Sequence, residues 1–328
     1  MPRTARIDYP GALHHIMVRG IERRSIFMDD IDRNAFVERL DKVLTKTETA
    51  CFAWALMPNH FHLLVSSGIK PLSTVMQSLL TSYALYFNKR HNRIGRLYQN
   101  RYKSILCNKD EYFLELVRYI HLNPIRGKIV KDLQILSNYL WCGHSALIGN
   151  DYISWQNTDA VLCHFGSVKA YIKFIEDGLE EDYGDKFSGG GLVRSAGGLW
   201  ELYKQRKAGI RVLGDERILG DGDFVEEVLN YTDEQIAKRD KLKQSGITFE
   251  TVVTKAANLM NIDVNEIGQR NKHHHITMAR SIACTWLVDE LGVKQIDIAR
   301  KFGVSSQTIS GCVLRGREII AKKGFVLN

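Results

Sequence analysis

The chain has 328 residues, with 45 Lys and Arg against 37 Asp and Glu, a net charge of +8. That length suffices for two or three domains and a substantial core, and 45% hydrophobic with 25% charged residues is ordinary for a globular protein. No apolar run reaches the length of a membrane span, and Met1-Pro2-Arg3-Thr4-Ala5-Arg6 lacks the apolar core of a signal peptide. The six cysteines are scattered and form no Cys-x-x-Cys pair, which argues for reduced thiols in a cytoplasmic protein rather than a disulfide framework or zinc ribbon. Charge is unevenly spread. Residues 1–150 carry 21 Lys and Arg against 12 Asp and Glu, residues 151–241 carry 12 against 18, and residues 242–328 carry 12 against 7. Two basic modules flanking an acidic middle fit contacts to phosphate backbones, or simply a solvated surface.

Taken in order, Ala12 to Gly20 reads as a first strand ending at a glycine turn, with His15 on its surface and Arg19, Arg23 and Arg24 around the turn. His15 would be a structural or substrate-facing histidine, with a third metal-ligand role conceivable. A helix begins at Asp29-Asp30 and buries Phe36, Val37, Leu40, Val43 and Leu44. Cys51 to Leu56 is a second strand, and Pro58-Asn59 makes a tight connection to the third.

In that third strand, His60-Phe61-His62-Leu63-Leu64-Val65, alternation puts His60 and His62 on one face and Phe61, Leu63 and Val65 on the other. Two imidazoles on a rigid strand are half of a divalent metal site, or two satisfied histidines. A long helix follows Pro71, then a basic loop from Asn88 to Arg96, then a fourth strand from Arg101 to Cys107. Asp110 to Arg118 has helical periodicity, and Tyr119 and Asn123 lie one turn apart on one face. Pro124 disfavours α geometry at Asn123, so the helix is expected to end there.

The strand-helix-strand-strand-helix-strand-helix order is a split β-α-β repeat, giving an α+β fold with a ferredoxin-like four-stranded antiparallel sheet. Residues 135–180 read as short helical or irregular pieces, and Phe187-Ser188-Gly189-Gly190-Gly191 with Ala196-Gly197-Gly198 as a hinge. From Thr248 the pattern becomes compact helices. A short helix from Lys294, a turn at Gly303 and a polar-fronted helix at Ser305 or Ser306 read as a helix-turn-helix, with Ser305, Ser306, Gln307 and Thr308 placed for DNA contacts. The expected division is a core over 1–135, a helical extension over 136–185, a hinge and charged linker over 186–247, and the all-α domain over 248–328.

The setting Met57-Pro58-Asn59-His60-Phe61-His62 resembles the HUH motif (His, hydrophobic, His), and Tyr119-Ile120-His121-Leu122-Asn123-Pro124 resembles the nucleophile helix of single-tyrosine insertion-sequence transposases. Within these, the chain looks most like the REP-associated tyrosine transposases, which share Tyr-Ile-His-x-Asn-Pro. The resemblance runs from near the N-terminus to about residue 180. It implies His60, His62 and Asn123 as ligands to Mg2+ or Mn2+ and Tyr119 as the nucleophile toward single-stranded or hairpin DNA. The products it implies are a 5′-phosphotyrosine and a free 3′-hydroxyl. Insertion-sequence relatives often carry Gln where this chain has Asn123, one methylene shorter. The resemblance also sets the turn of Arg19 near DNA, while Arg101, Lys103 or Arg118 could steady the phosphate. Arg280-Ser281-Ile282-Ala283 and the unit after it resemble the C-terminal DNA-binding domain of the bacterial replication initiator DnaA, which implies a duplex DNA contact. Val304 to Ile309 lacks that domain's Arg, Asp and His, so its target does not carry over. His273-His274-His275 reads as an exposed basic loop. A monomer or homodimer is expected. The alternative is a DNA-binding regulator that keeps the fold without cleavage.

Overall fold

The computed structural model describes residues 7–181, 214–269 and 273–327, together with Phe187, Ala196, Tyr203, Lys204 and Lys207. The glycine-rich hinge expected between Phe187 and Gly198 lies outside them except for Phe187 and Ala196. The chain divides into two compact units, Met1–Glu227 and Val228–Asn328.

The first unit is built on strands β1 (Leu13–Arg19), β2 (Ala50–Met57), β3 (His60–Ser66), β4 (Lys103–Cys107) and β5 (Ile218–Leu219) in the order β2-β3-β1-β4-β5. The first four strands are antiparallel, as the split repeat requires. The fifth is a departure from the four-stranded expectation. Ile218 and Leu219 pair parallel with Leu106 and Cys107, so the sheet is mixed. Two residues inside a charged stretch leave too short an alternation to be read as a strand. Both are buried against the sheet, and their pairing covers part of the β4 edge.

Both faces of this sheet are packed. One carries Ile16, Val18, Phe61, Leu63 and Val65 against α1 (Asp30–Thr47) and α2 (Leu72–Arg90). Phe61 is fully buried, with the Phe36 ring centroid 4.7 Å away, and burial of one such side chain stabilises by about 1.5–3 kcal/mol. The other face carries Leu13, Leu64 and Ile105 against α3 (Lys109–Arg126). The histidine face is therefore a second core, open only around its polar residues.

Helix α1 starts where Asp29 accepts from the Asp32 backbone N–H at 3.0 Å. The buried Asp32 carboxylate then bonds Arg90 at 2.5 Å, His91 at 2.9 Å and the Met28 N–H at 2.9 Å, tying α1 to the end of α2. Turn residues Pro58 and Asn59 are fastened from outside the hairpin: Ile26 N–H donates to the Pro58 carbonyl at 2.8 Å and Gly20 N–H to that of Asn59 at 2.8 Å. Gly20 has no room for a side chain, because a Cβ would sit 2.1 Å from the Arg24 carbonyl oxygen.

Helix α3 does not stop at Asn123. Pro124 lies inside it and the helix runs to Arg126. Proline so near a C-terminus forfeits only one helical hydrogen bond. The last carbonyls are satisfied from beyond, by Gly127 N–H to Asn123 at 2.7 Å and Ile129 N–H to Pro124 at 2.9 Å. Short helices α4 (Leu133–Leu136), α5 (His144–Leu147), α6 (Asp159–Leu162) and α7 (Val168–Asp177) follow. They are held by buried polar contacts. Tyr171 Oη lies 2.9 Å from His121 Nδ1 and 3.0 Å from His144 Nδ1, and Gln156 Oε1 accepts from Trp54 Nε1 at 2.9 Å.

The second unit contains helices only among its described residues. Helix α8 spans Gly222–Gln244 and enters this unit at Val228, and α9 (Phe249–Leu259), α10 (His274–Asp289), α11 (Gln295–Lys301) and α12 (Ser306–Lys323) follow. Helices α10 and α12 approach closely because position 316 is glycine; a Cβ there would meet the Ser281 carbonyl oxygen and Thr285 Oγ1 at 2.1 Å. Gly303 takes φ +61 in the turn between α11 and α12. Ser305 caps α12, accepting from Thr308 N–H at 3.1 Å. His274 and His275 form the exposed first turn of α10 rather than a loop. No helix among the described residues is long and apolar enough to cross a membrane.

Candidate catalytic site on the sheet

Strand register assembles the site. In β1 and β3, Arg19 pairs with His60, Met17 with His62 and His15 with Leu64, while Met17 also pairs with Lys103 on β4. Paired residues of an antiparallel ladder share a face, so His15, Arg19, His60, His62 and Lys103 all look the same way. Helix α3 crosses this face and lays Tyr119 on it. The Tyr119 ring centroid is 6.0 Å from that of His62 and 5.8 Å from that of His15, both edge-on.

The histidines are oriented by neighbours. His60 Nδ1 is 2.6 Å from Asn59 Oδ1, an acceptor, so this nitrogen carries the proton and Nε2 keeps its lone pair. His62 Nδ1 is 3.0 Å from His15 Nε2. Either nitrogen can donate. If His62 donates, its Nε2 is left as a lone pair; if His15 donates, it is not. The tautomers of the two rings are therefore coupled through this contact. Burial and then the Arg19 guanidinium hold the His60 imidazolium down at about 4. Burial, His15, His60 and Arg19 push His62 well below the ordinary histidine value. Both rings are therefore neutral near pH 7, the form that binds a cation.

Asn123 lies one turn after Tyr119. Its Nδ2 donates to the Tyr119 carbonyl at 2.9 Å, which turns the other amide atom, Oδ1, into the side chain's acceptor. Two neutral imidazoles and an amide oxygen are a donor set suited to a divalent ion. Among the described residues no three His, Cys, Asp or Glu side chains come together as a metal site.

Burial raises the Tyr119 phenol above its usual value, while Arg126 and Arg19 act in the opposite direction. The Arg126 guanidinium carbon is 6.0 Å from the Tyr119 ring centroid, and the Phe187 ring centroid is 5.0 Å from it. Arg126 is the residue that sequence reasoning missed. It sits seven positions after Tyr119, two helical turns on, in the part of α3 that Pro124 was expected to abolish. Arg118 is removed from the phosphate candidates: it is buried, it bonds both Glu181 carboxylate oxygens at 2.6 Å, and it stacks on Phe174 with 4.3 Å to the ring centroid. Arg19, Arg101 and Lys103 are exposed. In the second unit, Ser305, Ser306, Gln307 and Thr308 are exposed at the start of α12, where the Ser305 and Thr308 hydroxyls also bond each other at 2.9 Å.

Residues 9–123 match the sequence model of the family described as "Transposase IS200 like". No curated protein matches the chain. One similar solved structure is described as a REP-associated tyrosine transposase bound to a REP hairpin; it is 16% identical, with 48% of this chain and 98% of that chain covered and a TM-score of 0.38. Another is a putative transposase from Deinococcus radiodurans R1, 14% identical, with 36% and 93% covered and a TM-score of 0.27. The assignment rests on the sequence match, which spans both histidines of β3 as well as Tyr119 and Asn123. The stretch from Tyr9 to Asn123 is thus similar to the family of IS200-like transposases.

Proposed function

We propose that this chain nicks and rejoins single-stranded or hairpin DNA through a covalent bond to Tyr119, with Mg2+ or Mn2+ held by His60, His62 and Asn123. The observation that carries the reading is the Tyr119 ring lying on the same sheet face as His60 and His62, its centroid 6.0 Å from that of His62. A cation bound there supplies Lewis-acid polarisation of the scissile phosphate. The chain's own groups do the rest. Tyr119 Oη bonds to phosphorus, the bond from phosphorus to the 3′ oxygen breaks, and the phenolic proton is replaced by one gained at the 3′-hydroxyl. The phosphodiester is exchanged for a phosphotyrosine ester, so rejoining needs no nucleotide cofactor. Arg126 and Arg19 favour the ionised phenol, and Arg19, Arg101 and Lys103 hold the phosphate backbone.

The second unit adds a duplex contact through Ser305, Ser306, Gln307 and Thr308 at the start of α12. Joining two DNA-binding modules raises the effective concentration of each at one target. The test is incubation of the full chain with pooled single-stranded hairpins and Mn2+, scored for a covalent protein–DNA adduct. The parent forms the adduct, chelator removes it, and Tyr119→Phe abolishes it while keeping DNA binding. Retained binding with no adduct from the parent in either metal would replace this reading with a non-catalytic DNA-binding regulator.

A further inference from the structure

Between Thr49 and Lys109 the chain has eight Lys or Arg and not one Asp or Glu. This stretch contains the β3 histidines, α2 and the loop that leads into β4. Its fold leaves a groove of about 800 Å3 between the outer stripe of α2 and residues 95–102. On α2 the stripe is Ser73, Gln77, Thr81 and Leu85, four residues apart and all exposed, so they stack along one helical face. Leu85 is 68% exposed. Opposite stand Arg96, Gln99, Asn100 and Arg101, also exposed. The wall is built rather than loose, since Asn88 Nδ2 at the end of α2 donates to the Gly95 carbonyl at 2.9 Å.

The groove joins the histidine face through the backbone. Gln99 N–H donates to the Arg19 carbonyl at 3.0 Å, Gly20 bridges Tyr98, and Arg19 is the register partner of His60. The backbone of Arg19 is thus tied to the groove wall that carries Gln99 and Arg101. The lining has the mixture that single strands use: guanidinium groups for phosphates, amides and hydroxyls for base edges, and an apolar surface at Leu85 for a base face. From Ser73 to Asn88 the helix is about 22 Å long at 1.5 Å per residue, room for several nucleotides.

We infer that this groove is a binding site for the unpaired DNA that flanks the cleaved phosphodiester, and that Gln77, Thr81, Gln99 and Asn100 contribute to the choice of sequence. The inference rests on the catalytic reading for the position of the scissile phosphate, but its test is separate. The full-length chain is titrated with a fluorescent, randomised 20-nucleotide single strand and read by anisotropy. Gln77→Glu with Thr81→Glu places two negative charges in the groove. Thr74→Glu with Ser78→Glu places the same charge on the same helix outside it. The groove variant is expected to weaken binding at least 10-fold, the control less than 2-fold, with unchanged circular dichroism for both. Ultraviolet cross-linking of a thiothymidine-containing strand is expected to mark peptides from residues 73–102 in the parent. Equal weakening by the two variants, or cross-links confined to other peptides, overturns the groove and leaves Tyr119 chemistry intact. Failure of the parent to bind single strands at all would overturn both readings.

Discussion

The two units bury polarity in different ways. The sheet unit takes ionisable groups deep inside. His15, His62, His121 and Asp32 are each 5% exposed or less, and each makes a hydrogen bond with a partner far along the chain. The helical unit keeps its charges outside and buries Val252, Ile282, Leu287, Ile298 and Ile309. Among its described residues the one buried charge is Arg280, whose Nε donates to the Ile267 carbonyl at 2.6 Å. A buried polar group costs free energy unless hydrogen-bonded, and the sheet unit offsets this cost with partners brought in from distant strands and helices. The helical unit has small polar residues on the exposed start of α12, where no such cost arises. Long-range strand pairing brings buried polar groups together, whereas local helical packing leaves the polar residues outside.

Substitutions can break this contrast, beginning with the sheet unit. Asp32→Ala leaves Arg90 with Asp29 alone and His91 without its carboxylate. We expect a loss of about 3 kcal/mol, the low end for a broken buried pair because Arg90 is partly solvated, seen as faster hydrogen exchange in α1 and the end of α2. His15→Ala removes the group that orients His62. Supporting residues of metal ligands typically change affinity by about 10–100-fold, so the Mn2+ concentration for half-maximal adduct formation should rise by that factor. An unchanged Mn2+ requirement would reduce His15 to packing.

In the helical unit, Gly316→Ala forces α10 and α12 apart. Overpacking of this kind costs about 1–3 kcal/mol, measurable as accelerated exchange across residues 274–323. The smallest effect concerns pH. Hydrogen bonds from Arg90 and then from the Asp32 N–H hold the Asp29 carboxyl down at about 2. A depressed carboxylate contributes stability that is fully present above its unfolded value and is lost as pH falls through the folded one. Asp29→Asn should therefore lower the melting temperature near neutral pH, and the gap from the parent should close between about pH 4 and pH 2. A gap that widened on acidification would contradict the ion pair.

Much of the architecture could be read from the residues. Alternation in His60 to Val65 assigned the two faces correctly, because strand side chains alternate whatever packs on them. The change to compact helices from Thr248 was legible for the same reason of local period, and α9 begins there. The two-residue β5 was not legible, since Ile218 and Leu219 acquire strand geometry only by pairing with Leu106 and Cys107. Nor was the end of α3. Proline's penalty is a local rule, and carbonyl partners at Gly127 and Ile129 outweighed it.

What the amino-acid order determined by itself is therefore the set of elements and the side chains each presents: twin imidazoles on one strand face, and a phenol with an amide one helical turn on. Tertiary structure alone decided that His15 would stand against His62, that Arg126 would lie over the Tyr119 ring, and that Arg118 would be spent on Glu181. The physical reason is range. Periodicity and propensity act within a few residues, whereas hydrogen bonds and ion pairs in a folded core depend on distances that no stretch of sequence contains.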